Sequence, residues 1–295
     1  MSSHEEVFIW PPPSRGLRIK VHVPASILSV EHGIVKKTFV LGLIARALAI
    51  FRVDRISIYK DPDSRGRDII LAKKVLEYIA IPPYLRKRIF KIDRDLKAVG
   101  ILPPLATASH PLEEDVLREH ARPALVLNVS ALSICVDPGL GGEICINRAK
   151  GLHVKKGDMV YVRTLAGGII SSVVDPIEAK KIYWGYSVET YRSMRESILS
   201  SDGDLYIVST KKGSHNIEKL SERVGTVRRG IDVIFGSPDK DPDEIAMEEG
   251  WDLEAIDHYK LNSAPLQGVR SIRTYEAIYI TLAILNSIIY RVKHI

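Results

Sequence analysis

"NSAPLQGVRSIRTYEAI", residues 262–278, is the stretch on which the reading of this chain turns. It holds Gln267, the only glutamine among 295 residues, and Asn262, in a chain where asparagine is also scarce. Pro265 and Gly268 supply turn chemistry beside them. Few amides, few methionines and many ion-pairing residues are the composition of a hot-adapted chain. Where amides are avoided because they hydrolyse, two kept in one loop mark a loop that needs them. An amide both donates and accepts hydrogen bonds, so it suits recognition of a polar ring.

Directly behind lies the most apolar run, "AIYITLAILNSIIY" (277–290), within a helix expected over 274–291. Ile278, Leu282, Leu285 and Ile289 line one side. Ile280, Ala283, Ile284 and Ile288 cover most of the rest, so the helix is buried on more than one face. A central helix of a monomer and a subunit interface both fit that pattern. The run is too short to span a bilayer. Ahead of the loop, strands and helices alternate: "DLYIVST" (204–210), a helix over 214–224, "IDVIFGS" (231–237), a short helix over 241–249, and "IDHYKLN" (256–262). The N-terminal side has the same grammar. Strand "LRIKVHV" (17–23) leads to an amphipathic helix over 31–51, striped by Val35, Phe39, Leu43 and Ala47 with Val40, Ile44, Leu48 and Phe51 alongside. Strand "DRISIYK" (54–60) and a helix over 68–80 follow. This β-α-β-α order specifies a parallel sheet.

Between these halves the period changes. "ALVLNV", "LSICV", "GEICIN", "DMVYVRT" and "GIISSVV" are short strands with tight turns and no helix between them. They make a small all-β module with the strand count of an OB-like barrel. The expected organisation is an α/β domain built from 1–104 and 181–295, with the barrel inserted at 105–180.

The chain is 45% hydrophobic and 26% charged, with a net charge of +6 and a pI of about 9.1. That balance permits a polyanionic partner without requiring one. The start, "MSSHEEVFIWPPPSRG", lacks a basic region followed by an apolar core, so a cytoplasmic protein with no membrane partner is expected. Cys135 and Cys145 flank the turn "VDPGLGGEI" and face each other across two strands. We expect two reduced, half-buried thiols, with a bridge as the alternative for a hyperthermophile. The histidines show no ligand spacing, and no metal is expected.

In open α/β sheets, ligands gather where strands end at their carboxyl edge. Three strand ends share one character: Thr210 to Gly213, Gly236 to Pro238, and Asn262 to Gly268. Each offers hydroxyls, amides or exposed backbone. No Gly-x-Gly-x-x-Gly turn and no P-loop is present. Such loops suit a small neutral ring such as adenine, with a ribose.

With "GLIARALAIFRVDRI" (42–56), "YWGYSV" (183–188), "IVSTKKG" (207–213), "VIFGSP" (233–238) and the opening motif, in this order, the chain resembles the SPOUT superfamily, the α/β-knot RNA methyltransferases. It is most similar to the branch with an OB-like insertion, assigned to rRNA uridine-N3 methylation. The resemblance implies a Rossmann-like parallel sheet ending in a deep trefoil knot. It implies S-adenosylmethionine bound in that knot against Thr210, Lys212, Gly213, Gly236, Ser237, Asn262, Gln267, Gly268, Ile272 and Thr274. It also implies a homodimer with each active site near the interface. Arg46 stands where related enzymes carry an arginine that reaches the methyl-transfer site. Removing the uridine imide proton spreads negative charge onto O2 and O4, which a fixed guanidinium stabilises. No general base stands out, although Glu276 and Asp257 adjoin the right segments. The target base must be unstacked. Arg86, Lys87 and Arg88, near Tyr84 and Phe90, and the barrel's Arg148, Lys150, Lys155, Lys156 and Arg163 are candidates for the RNA backbone. A non-catalytic RNA-binding or ribosome-assembly factor of the same fold is the rival reading, and a nucleotide-binding α/β protein the third.

Overall fold

The computed structural model describes residues 8–110, 120–148, 151–165 and 167–293. In chain order these form β1 (Arg18–Pro24), α1 (Gly33–Ile50), β2 (Arg55–Tyr59), α2 (Gly66–Ala80) and α3 (Arg86–Ile89). Five strands follow: β3 (His120–Val129), β4 (Ser133–Asp137), β5 (Ile144–Asn147), β6 (Met159–Thr164) and β7 (Ile170–Val173). Then come α4 (Pro176–Ala179), β8 (Ser187–Tyr191), α5 (Met194–Leu199), β9 (Leu205–Ser214) and α6 (Ile217–Thr226). The chain ends in β10 (Gly230–Phe235), α7 (Pro242–Glu248), β11 (His258–Leu261) and α8 (Thr274–Lys293). It divides into two compact units. No described helix is long and apolar enough to cross a membrane.

The larger unit comprises 15–80, 93–103 and 185–295. Its six strands run in the order β11-β9-β10-β1-β2-β8, every neighbouring pair parallel. β1 and β10 lie at the centre, with Val21 opposite both Val233 and Ile56. All of β10, and all of β1 after Arg18, are buried, as strands covered on both faces must be. The alternation of "LRIKVHV" therefore separates two buried layers. Ile19, Val21 and Val23 point one way, Lys20 and His22 the other. The second layer is polar and paired. Lys20 Nζ lies 2.9 Å from Glu189 on β8. His22 Nε2 lies 2.9 Å from Asp232 on β10, and its Nδ1 lies 2.7 Å from the Ser197 hydroxyl on α5. Both His22 and Asp232 are fully buried. Burial, against the pull of Asp232, lowers the His22 pKa. For Asp232, burial works upward, yet the His22 and Ser201 hydrogen bonds and the charge of Arg18 hold its carboxyl below the usual range.

The helix α1 buries Val40, Leu41, Ile44, Ala45 and Leu48, while Val35 and Phe39 are exposed. Apolar residues nearly encircle it, so the stripe expected to include Val35 and Phe39 is not the one facing the core. On α8, Ile278, Leu282, Leu285, Ile288 and Ile289 are buried, Ile280 and Ile284 are half-buried, and Ala283 is exposed. α8 packs against both α1 and α6, and Tyr279 donates to the Leu43 carbonyl at 3.0 Å.

The smaller unit comprises 1–14, 81–92 and 104–184. Its strands run β5-β4-β3-β6-β7, all antiparallel, and the edges β5 and β7 approach each other, so the sheet is curled nearly closed. Ala124, Val126, Ile134, Val136, Val160 and Val162 fill it. "PGLGG" is the turn between β4 and β5. The segment 81–92, which the sequence pattern groups with the α/β part, belongs to this unit because Tyr84 donates to the Pro123 carbonyl at 2.8 Å and Arg88 pairs with Asp137. Burial pushes the Tyr84 pKa up to about 12. The expectation of two thiols is corrected here. Cys135 and Cys145 are directly opposed on β4 and β5, with Cα atoms 4.0 Å apart, and form a disulfide. Among the described residues, Cys135, Glu143 and Cys145 are the one grouping of metal-ligand types, and its sulfurs are bonded to each other.

Candidate active site

The site begins with a fault in the sheet. β9 pairs with β10 in continuous register, Ile207 with Val233 and Ser209 with Phe235. Against β11 the register jumps: Lys260 faces Val208, but the next residue, Leu261, faces Ser214. Residues 209–213 therefore bulge out of the ladder, which frees their backbone. Gly213 is required at the return. A Cβ there would lie 2.7 Å from the backbone of Lys260, Leu261 and Asn262.

Asn262 holds the bulge in shape. Its Nδ2 donates to the Lys211 carbonyl at 3.0 Å, its Oδ1 accepts from the Ala264 N–H at 3.1 Å, and its own N–H donates to the Ser214 carbonyl at 2.9 Å. One side chain thus ties the loop after β9 to the loop after β11. Gln267 donates to the Val269 carbonyl at 2.8 Å, a local tie within the second loop. Between them Leu266 takes a left-handed φ of 55° and is fully exposed, strained backbone of the kind found at ligand sites.

The loop after β10 completes the set. Gly236 has no room for a side chain, since a Cβ would lie 2.3 Å from the Lys240 carbonyl. The Ser237 hydroxyl accepts from the Lys240 N–H at 2.9 Å, and the Tyr59 hydroxyl fixes the Phe235 carbonyl at 2.6 Å. Lys240 is held by Asp63 and Glu248, both at 2.8 Å, and these partners keep its ammonium strongly protonated. Asp241 and Glu244 cap α7 and face Lys212 at 3.2 and 3.8 Å. The first turn of α8 closes against this loop, with the Thr274 hydroxyl donating to the Gly236 carbonyl at 3.4 Å.

The three loops meet around a cavity of about 340 Å³, the scale of a small-molecule site. Of the residues expected at a cofactor, Thr210, Lys212, Gly236, Ser237, Asn262, Gln267, Ile272 and Thr274 line it. Gly213 lies beneath it as a packing residue. Gly268 is not in its wall, and a Cβ there would meet nothing within 4 Å. Sequence reasoning missed Asp239, Asp241, Glu244, Ser263 and Arg270, which also line it. The run "SPDKDPDE", an acid-rich cap before α7, was the available signal. A neighbouring hollow of about 330 Å³ shares Pro238, Asp239, Ser271, Ile272 and Thr274 with the first. It contains an ion pair of Arg273 with Glu31 at 2.6 Å, and the Glu31 side chain is largely buried.

Arg46 is half-buried on α1 and lines neither hollow. Its charge acts on Tyr279, whose hydroxyl burial pushes up and Arg46 draws back down. Glu276 accepts from the Arg273 N–H at 2.8 Å, and Asp257 pairs with Arg223. In the smaller unit, Lys87, Lys155 and Lys156 are exposed. Arg88 and Arg163 pair with Asp137 and Glu178. Arg86 donates to the Ile81 carbonyl at 3.2 Å, and Arg148 braces the Leu152 carbonyl at 2.7 Å. Lys150 lies outside the described residues.

Residues 18–285 match the model of a family described as "Putative RNA methyltransferase". The chain is 30% identical over 284 residues to an uncharacterized protein of Haloarcula marismortui, covering 90% of this chain and 98% of that one. It is 29% identical over 309 residues to the 28S rRNA (uridine-N(3))-methyltransferase of Mus musculus, covering 92% of this chain and 77% of that one. The Homo sapiens protein of the same name is 28% identical over 311 residues, with 92% and 78% covered. A match that spans both units and takes in all three loops shows that this chain belongs to that family and is an RNA methyltransferase.

Proposed function

We propose that the protein methylates N3 of a uridine in large-subunit ribosomal RNA, using S-adenosylmethionine and acting as a homodimer. The observation that carries this reading is the cavity at three adjacent strand ends, tied together by Asn262. The printed names of the mouse and human relatives support the target.

The donor set fits the cofactor. Thr210, Ser237, Ser263 and exposed backbone offer hydrogen bonds to a purine and a ribose, and the lining acids Asp239, Asp241 and Glu244 stand among Lys211, Lys212, Lys240 and Arg270, a mixed charge that suits a ligand carrying a sulfonium, an ammonium and a carboxylate. When bound, S-adenosylmethionine supplies an electrophilic methyl group. The chain's own residues do the rest. The hollow beside the cavity takes the uracil, whose N3–H donates to the Glu31 carboxylate while Arg273 orients that carboxylate. Glu31 accepts the imide proton as the nitrogen becomes nucleophilic. Charge then spreads to O2 and O4, where a guanidinium stabilises it.

Arg46 lies away from its own chain's cavity, on the side of α1 that carries Phe39 and Ile50. That side, with Val35 and the half-buried Ile280 and Ile284 of α8, is an apolar face that a second copy would cover. Dimerisation there would bring Arg46 toward the partner's site. The family resemblance carried by residues 207–213, 233–238 and 262–278 is what supports a chain threaded as a trefoil knot in this region.

The test is methyl transfer to ribosomal RNA from a strain lacking the gene, with the product nucleoside identified by mass spectrometry, alongside cofactor calorimetry. N3-methyluridine is the expected product. Absence of cofactor binding, or methyl groups on another nucleoside, overturns the reading.

A further inference from the structure

The smaller unit holds a cavity of its own, of about 660 Å³, on the flank of β6 and β7. Leu152, Val154, Met159 and Val173 make an apolar wall, and Tyr161 and Trp184 stand in it as a stacked pair, ring centroids 4.3 Å apart and planes 29° from parallel. The indole is fixed, its N–H donating to the Ala179 carbonyl at 2.8 Å. Tyr161 stays neutral, since burial pushes its pKa up to about 12.

Three lysines and two aspartates lie in or close in sequence to its lining, a small positive excess. Lys180 lines the cavity, and Lys155 and Lys156 directly follow its wall residue Val154 in the chain; all three are exposed, and none pairs with a carboxylate among the described residues. Asp175 lines the cavity and Asp158 precedes its wall residue Met159, and both accept backbone N–H hydrogen bonds. Asp158 accepts from the Lys155 N–H at 2.9 Å and Asp175 from the Ile177 N–H at 2.7 Å. An apolar slot with flat π-faces, bordered by lysines free to meet phosphate, matches an unpaired nucleotide: a base that stacks and a backbone that is anionic. An aliphatic or peptide side chain would use the wall and leave the lysines without a role.

We propose that this cavity binds an unpaired base of the RNA substrate, stacked on the Tyr161–Trp184 pair, at a site separate from the one where methyl transfer takes place. The inference rests on the RNA methyltransferase reading, and deepens it by naming where a second nucleotide of the same RNA is held.

The test uses the full chain and a fluorescein-labelled oligouridine decamer, read by anisotropy, with an abasic decamer of equal charge as control. Wild-type protein should bind the oligouridine more tightly than the abasic strand. Trp184→Ala should weaken oligouridine binding about 5- to 150-fold, the scale of one lost base stack, and leave abasic binding unchanged. Trp184→Phe should retain most of the affinity. Equal affinity of wild type for both strands, or of Trp184→Ala and wild type for oligouridine, overturns the proposal. Because Trp184→Ala risks unfolding the barrel, a second measurement uses unaltered protein. A 5-iodouridine decamer, irradiated in the complex, should cross-link to the peptide holding Tyr161 or Trp184, and cross-links confined to other peptides overturn it. Cofactor calorimetry on the wild type separates the two readings. A protein that binds S-adenosylmethionine but yields none of these signals refutes this site alone.

Discussion

Replacing Asn262 by aspartate tests whether the amide shapes the site. The side chain keeps its size, and one oxygen still accepts from the Ala264 N–H. The donor that stood 3.0 Å from the Lys211 carbonyl becomes a carboxylate oxygen facing another oxygen. Losing that hydrogen bond costs about 0.5–1.5 kcal/mol, and the opposed oxygens add a similar amount, so about 1–3 kcal/mol favours opening of the bulge. Cofactor affinity should fall about 5- to 150-fold by calorimetry. Global stability should fall only by about 1 kcal/mol, because the loop is solvent-accessible and water replaces the lost partner. The melting temperature should drop by roughly 2–4 °C. Asn262→Ala, which removes both side-chain bonds without adding repulsion, loses about the same 1–3 kcal/mol and should weaken the cofactor over the same range as Asn262→Asp. If both variants are folded and bind S-adenosylmethionine within twofold of wild type, the bulge is not held by this amide and the reasoning fails.

Three further outcomes follow from the same structure. Ile284→Glu on α8 should convert a dimer to a monomer in sedimentation velocity, since an unpaired carboxylate is costly in a dry interface; a wild-type monomer refutes the interface. Arg46→Ala should lower single-turnover methyl transfer by about 100-fold with cofactor affinity unchanged, and Arg46→Lys should not restore it, lacking the planar fork; a wild-type rate makes Arg46 a surface charge. His22, its folded pKa lowered by burial, cannot take the proton that the unfolded chain takes near 6.5. Stability should therefore be level above that pH and fall below it, by up to about 1.4 kcal/mol per pH unit. Asp232, held low, adds a second loss only as pH drops below 3.8 through its folded value. Urea midpoints that stay constant from pH 7 to 5 contradict this assignment.

The elements that pack by periodicity were legible. The runs around β1, α1, β2, β9, β10 and α8 carry their period in their own residues, and their observed bounds lie within a few positions of the expected ones, save that β9 runs on through Lys211–Ser214. β8 and α5 were not foreseen, because "SVETY" and "MRESIL" are short and half polar and become regular only against β2 and β1. Which side of α1 faces inward was hidden by apolar residues on both. The polar layer was hidden for another reason. Lys20 and His22 look like the solvent side of a strand, and their partners Glu189 and Asp232 lie far along the chain. At the site, the small residues at three strand ends were readable as turn and ligand chemistry. The five-residue register jump that groups them was not, since it depends on how β11 pairs with β9. The charge runs were legible only as charge, and the carboxylates that Arg88 and Arg163 meet lie too far along the chain for local sequence to reveal them.

The cavity also sets a schedule. Its walls start at Ser209 and are complete only at Ala277, in the last helix, and the strand that bounds it on one side, β11, is the final one added to the sheet edge. At roughly 5–20 residues per second, synthesis takes several seconds to cross that span. A nascent chain that ends before α8 has the sheet centre and the barrel but no closed cavity. The cavity therefore closes only once α8 is in place, and a chain lacking that helix would leave it open along the side that Thr274 and Ala277 wall.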